Sequence, residues 1–214
     1  MVTFEAIRDR ESRVAVVGLG YVGLPLAVAL ARHFDVLGFD ISARRVEELK
    51  GGSDRTGEVD PADLAATTAE FSSDPACLSR AGVIIVAVPT PIDEHRNPDV
   101  RPVTGASATV GRHLAPGSVV VYESTVWPGL TEELCVPILE RESGLACGRD
   151  FQVGYSPERI NPGDKKHTLA TIVKVVAGQT PECTELLAGR RACSARRTSR
   201  PPRPPRSSRI PSVI

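Results

Sequence analysis

The stretch RVAVVGLGYVGLPLAVALARHFDVLGFD, residues 13–40, decides the fold. Arg13–Val17 is an apolar, β-branched run of strand length. It leads directly into Gly18-Leu19-Gly20-Tyr21-Val22-Gly23. Val22–His33 then reads as a helix, and Val36–Phe39 as a second strand ending at Asp40. Each glycine has its own task. Gly18 permits the tight turn, Gly20 lets a pyrophosphate approach the backbone, and Gly23 lets helix and strand pack closely. The helix start offers free N–H groups and a positive dipole end to phosphate, so Tyr21 and Val22 join the candidate site. Asp40 follows Gly20 by 20 residues. Its carboxylate can accept both ribose hydroxyls of an adenosine and repels a 2′-phosphate, which favours NAD over NADP. Arg44 and Arg45 either flank the adenosine or are solvated helix residues.

Outward from this unit, β-rich runs alternate with helical segments. Helices are expected at Ala43–Lys50 (stopped by Gly51 and Gly52), Pro61–Ala66 (with Asp60 as cap), Thr104–His113, Thr131–Glu140 and from Pro181 to Ala188. Strands are expected at Val83–Val88, Ser118–Tyr122, Phe151–Gly154 and Ile172–Val176. Strands without polar alternation need cover on both faces, and alternation with helices supplies it. The expected architecture is α/β, a Rossmann-like doubly wound parallel sheet.

Further candidates sit at the carboxyl ends of these strands, where doubly wound sheets bind ligands. In Val88-Pro89-Thr90-Pro91 the two prolines hold Thr90 rigidly. Glu123-Ser124-Thr125 follows the strand Ser118–Tyr122. Tyr155-Ser156-Pro157-Glu158-Arg159 follows Phe151–Gly154.

The chain has 214 residues, 41% hydrophobic and 24% charged, enough for one sizeable core. No apolar run approaches the roughly 18 residues that span a bilayer. The amino terminus shows no signal-peptide pattern. The net charge of +0 hides an asymmetry. Residues 190–214 hold eight arginines and no acid, so the other 18 basic residues face 26 acids, a body at −8. An acidic body argues against nucleic acid as a partner, and no membrane partner is expected. Five scattered cysteines without a Cys-x-x-Cys pair fit reduced thiols and a cytoplasmic location. The four histidines show no metal spacing, so no metal is expected. Residues 1–189 form the expected NAD-binding domain. The Arg-, Pro- and Ser-rich remainder, 190–214, cannot build a core and is expected to be a disordered tail.

The segments VGLGYVGLPLAVALA, FDVLGFDI, DRTGEV, VAVPTPIDEHRNPD, VVYESTVWPG, GYSPERINPGDKKHT and IVKVVAGQTPE cover most of residues 12–188. They resemble the NAD-binding half of the UDP-glucose/GDP-mannose dehydrogenase family of nucleotide-sugar 6-dehydrogenases. The resemblance is strongest to the UDP-N-acetylhexosamine branch of polysaccharide biosynthesis. It implies oxidation of a UDP-sugar C6 alcohol to the uronate with two NAD. Gly18, Gly20, Tyr21, Val22, Gly23, Asp40, Arg45, Thr90 and Thr125 match cofactor positions. Thr125 and Glu158 match a pair that orients a water for acid/base work, and Glu158 and Arg159 lie near the nucleotide sugar. The family's nucleophilic cysteine, in a Gly-Gly-x-Cys context, matches no cysteine here. Its sugar-nucleotide domain and dimer-forming helix have no counterpart either. This chain alone is therefore expected to be inactive in full turnover, with a stand-alone NAD-binding module or pseudoenzyme subunit as the other reading. Residues 203–214 equal one coding of the family-like helix text EAAKVIENTQRDL read one base later. A reading-frame shift near residue 190 is the expected origin of the tail.

Overall fold

The computed structural model describes residues 1–91, 98–157 and 175–192, the side chains of 190–192 excepted. A short helix α1 (Phe4–Arg8) precedes strand β1 (Arg13–Val17), helix α2 (Gly23–Ala31), strand β2 (Val36–Phe39) and helix α3 (Ala43–Lys50). Helix α4 (Pro61–Ala66), strand β3 (Glu70–Ser72), a 3₁₀ segment (Pro75–Arg80) and strand β4 (Ala81–Val86) follow. Next come α5 (Arg101–Arg112), β5 (Val119–Tyr122), a π-helical turn (Thr131–Cys135) running into α6 (Val136–Ser143), β6 (Gln152–Tyr155), β7 (Ala177–Gly178) and α7 (Pro181–Ala192).

The strands form one sheet in the order β3-β2-β1-β4-β5-β6-β7. All neighbours are parallel except β6 and β7, which are antiparallel. That edge pair departs from the all-parallel expectation. Of the strand expected at Ile172–Val176, residues 172–174 lie outside the described residues and 175–176 are not strand. The observed edge strand is two residues long, because the chain turns at once into α7, where the Gly178 amide donates to Thr184 Oγ1 at 3.0 Å. Helix α7 runs through Ala192, past the expected domain boundary at 189.

The apolar strands bury both faces. Val14, Val16, Val83, Ile85, Val119 and Val121 point to one side, where Leu24, Ala27, Leu30, Val46 and Leu187 from α2, α3 and α7 cover them. Ala15, Val17, Ile84, Val86, Val120 and Tyr122 point to the other, against Val103, Val110 and Leu139 of α5 and α6. Successive residues thus face opposite layers, and burial of this apolar area supplies most of the stabilisation.

One polar pair lies inside the second layer. Tyr122, 0% exposed, shares a 2.7 Å hydrogen bond with Ser107 Oγ. Ser107 also donates to Val103 O at 2.8 Å, so it keeps a partner when the phenol is removed. Tyr122→Phe is expected to cost about 1 kcal/mol. Thermal unfolding followed by circular dichroism should show Tm lower by about 2–4 °C. An unchanged Tm would mean the pair contributes nothing.

Candidate functional site

The strand register aligns the carboxyl ends. Val17 pairs with Phe39 on one side and Val86 on the other, Val86 pairs with Tyr122, and Tyr122 with Tyr155. The next residues of each strand therefore stand in one row, and Gly18, Ala87, Glu123 and Ser156 extend the ladder with amide bonds of 2.8–3.0 Å. Chain order reverses on either side of β1, which opens the crevice where such sheets bind ligands.

At the head of that crevice the glycine turn has the form its sequence calls for. Gly18 sits at φ +92, a left-handed conformation that L side chains rarely adopt. A Cβ on Gly23 would overlap the Gly18 carbonyl oxygen, so only glycine lets α2 approach so closely. Above Gly20 nothing lies within 4 Å of a Cβ position, which leaves room for an incoming group. Helix α2 starts with no side-chain cap and no acid in its first turn. Its leading amides and dipole end are thus available to an anion.

Asp40 faces this turn from the end of β2. Its Oδ2 accepts the Leu19 amide at 2.8 Å and its Oδ1 accepts the Ser42 amide at 2.9 Å. Ser42 in turn caps α3 by accepting from Arg45 N. Both carboxylate oxygens keep further lone pairs for ribose hydroxyls. Ile41, beside Asp40, is 86% exposed, and Tyr21 in the turn is 55% exposed. Both present exposed apolar surface near the turn.

Arg44 and Arg45 differ. Arg44 is solvated and pairs with Glu48. Arg45 is 5% exposed: its Nε donates to Leu19 O at 2.9 Å and its Nη2 to Asp54 Oδ1 at 2.7 Å. Asp54 also receives the Thr56 hydroxyl and the amides of Thr56, Glu58 and Val59. Burial alone would raise the Asp54 pKa, but the hydrogen bonds from Thr56 and Arg45 and the backbone amides outweigh it and hold the carboxyl below its ordinary value. The ion pair therefore persists above the usual carboxylate range and is lost only as pH falls through that lowered value.

Farther along the row, Thr90 Oγ1 donates to Thr125 O at 2.7 Å, and Ser124 Oγ donates to Val88 O at 2.7 Å. Two loops that are distant in sequence are joined there. Glu158 and Arg159 lie outside the described residues. Sequence reasoning gave no role to Asp54, Ser124 or Ile41. Asp54 was visible only as part of the DRTGEV text, and the exposure of Ile41 has no sequence signal.

Cys77, Cys135 and Cys183 are buried and Cys147 is half-buried. Burial pushes all four thiols up, Cys147 and Cys183 to about 11. Each stays protonated at neutral pH and is a poor nucleophile. Among the described residues no group of three His, Cys, Asp or Glu could hold a metal, and no helix is long and apolar enough to cross a membrane.

Residues 12–190 match the profile described as UDP-glucose/GDP-mannose dehydrogenase family, NAD binding domain. The chain is 58% identical over 175 residues to "Protein CapL" of Staphylococcus aureus, covering 82% of this chain and 41% of that protein. It is 54% identical over 179 residues to the UDP-N-acetyl-D-glucosamine 6-dehydrogenase of Pseudomonas aeruginosa, covering 83% and 42%. Among solved structures, the NDP-N-acetyl-D-galactosaminuronic acid dehydrogenase of Methanosarcina mazei superposes with a TM-score of 0.78 at 29% identity, covering 91% of this chain and 45% of that one. The chain thus spans less than half the length of these relatives.

Proposed function

Because the chain belongs to the UDP-glucose/GDP-mannose dehydrogenase family through its NAD-binding domain, we propose that it acts as the cofactor half of a UDP-N-acetylhexosamine 6-dehydrogenase. Such an enzyme oxidises the C6 alcohol of a UDP-sugar to the uronate for polysaccharide biosynthesis. The observation that carries this reading is the turn itself: open space over Gly20 beside an Asp40 carboxylate already fixed by the Leu19 amide. NAD bound there supplies the hydride acceptor. The amides of Gly20, Tyr21 and Val22 face its diphosphate, Gly18 and Gly23 shape the turn, and Asp40 accepts the adenosine ribose hydroxyls. Arg45 contributes through Leu19. Thr90 lines the site and holds the Thr125 backbone, which leaves the exposed Thr125 hydroxyl to orient a water.

A reading as an NAD-binding module without oxidation is favoured by one observation, the burial of the described thiols, which pushes their pKa values up. A covalent route from aldehyde to acid through a thioester needs a reactive thiolate. Calorimetry on the 214-residue chain is expected to give heat with NAD, and binding weaker by about tenfold or more with NADP, equivalent to ~1.4 kcal/mol of repulsion at Asp40. With UDP-N-acetylglucosamine and NAD together, no uronate is expected. Absence of heat with NAD would overturn the cofactor assignment, and steady uronate production would overturn the thiol argument.

A further inference from the structure

We propose that Asp54 is a positioning residue for dinucleotide binding, aiming the Gly20 amide at the diphosphate through Arg45; the proposal rests on the NAD-binding reading above. Leu19 lies between the two glycines and is itself 0% exposed, with both its backbone groups held. Its N–H donates to Asp40 at 2.8 Å, and its carbonyl accepts Arg45 Nε at 2.9 Å. A trans peptide is planar, and its C=O and N–H point in opposite directions. The chain has no cis peptide among the described residues. A Leu19 carbonyl fixed toward Arg45 therefore turns the Gly20 N–H the other way, away from the guanidinium. The direction of that donor is thus set by the guanidinium.

The guanidinium is set in turn by Asp54. Arg45 Nη2 donates to Asp54 Oδ1 at 2.7 Å, and both side chains are almost wholly enclosed, 6% and 2% exposed. Arg45 Nη1 is also out of solvent, 3.9 Å from Glu48 Oε2. No edge of this cation is left to meet a ligand directly. Its influence passes through the Leu19 carbonyl. Asp54 is anchored by its own loop, which donates from Thr56, Glu58 and Val59, so the brace has a fixed foot. A planar fork suits two separate acceptors, and an ammonium cannot span both.

The test compares ADP-ribose with adenosine as probes on the full chain, using wild type, Asp54→Ala, Asp54→Asn, Arg45→Lys and the double variant Arg45→Lys/Asp54→Ala. Asp54→Ala and Arg45→Lys are each expected to weaken ADP-ribose about tenfold, the scale of one charge-assisted hydrogen bond. Adenosine binding should change less than about twofold, because it lacks the diphosphate. Asp54→Asn keeps an acceptor for Arg45 and is expected to restore most of the affinity. The double variant should be no weaker than either single one, because the two residues act in series. Equal losses for both probes, additive losses, or no loss with Asp54→Ala overturn the proposal. Amide hydrogen exchange of ligand-free protein gives an independent readout: the Leu19 amide, bonded to Asp40 at 2.8 Å, should exchange faster in Asp54→Ala and in Arg45→Lys than in wild type, with Asp54→Asn near wild type. Unchanged exchange overturns the brace. Faster exchange in those variants together with a wild type that binds no ADP-ribose overturns the cofactor reading while the brace itself stands.

Discussion

Asp40→Asn is expected to weaken NAD binding by about 100-fold while leaving the fold intact. A hydrogen bond to a charged acceptor contributes about 1.5–3 kcal/mol, and two ribose hydroxyls converge on this carboxylate in the proposed pose. Each 1.4 kcal/mol is a factor of ten in Kd. Asparagine still offers an oxygen to the part-buried Leu19 amide, which Asp40 accepts at 2.8 Å, and gives up only the exposed bond from the Ser42 amide. Alanine would orphan that amide and confuse a binding defect with an unfolding one. The substitution also removes the negative charge that opposes a 2′-phosphate. Discrimination between NAD and NADP should therefore collapse to within about threefold, well under ~1 kcal/mol. Calorimetric titration with both dinucleotides measures the two effects together. Retention of wild-type affinity for NAD, or of wild-type discrimination, would show that the carboxylate does not meet the ribose.

Gly23→Ala is expected to act on the fold itself. The added methyl would overlap the Gly18 carbonyl oxygen, which is backbone and cannot swing aside. Relief requires α2 to move off β1 or the turn to open, and such overpacking costs about 1–3 kcal/mol or more. A chain of this size should lose about 2–12 °C in Tm. Because the displaced atom belongs to the turn that receives the diphosphate, NAD binding should disappear below the melting transition as well. Gly20→Ala is the control. No atom lies within 4 Å of its Cβ position, so it should keep its Tm and lose affinity only. Equal melting temperatures for Gly23→Ala and wild type would refute the close-packing argument.

The sequence was most legible where short-range chemistry dictates structure. Arg13–Val17, Val36–Phe39, Ala43–Lys50 and Pro61–Ala66 coincide with β1, β2, α3 and α4. Apolar runs, the Gly51-Gly52 stop and a first-turn proline announce those elements. Three others gave no such signal. Helix α1 is five residues held by the Thr3 side chain, β3 is three residues that exist because β2 offers an edge, and the 3₁₀ segment is capped by Asp74. The helix expected from Thr104 starts at Arg101, because Pro102 is harmless in a first turn. The helix expected from Thr131 begins as a π turn, with the Val136 amide reaching Thr131 O. Pro137 follows, has no N–H, and would clash in a regular ladder.

The site divides along the same line. The turn and Asp40 were legible because their spacing is a local constraint. The Arg45–Asp54 brace was not, because it depends on which way one side chain points across a loop. Of the two readings of Arg45, the solvated one is overturned, since the side chain is enclosed and reaches the turn through Leu19.

The paired bonds between residues 88–90 and 124–125 have a mechanical consequence. Thr90 reaches Thr125, and Ser124 reaches back to Val88, so two crossing stitches lace the loops after β4 and β5 without any covalent link. Loops so laced open and close as one cooperative unit rather than as two flaps. A guest that orders residues 88–90 therefore also restrains residues 124–125 through these two bonds.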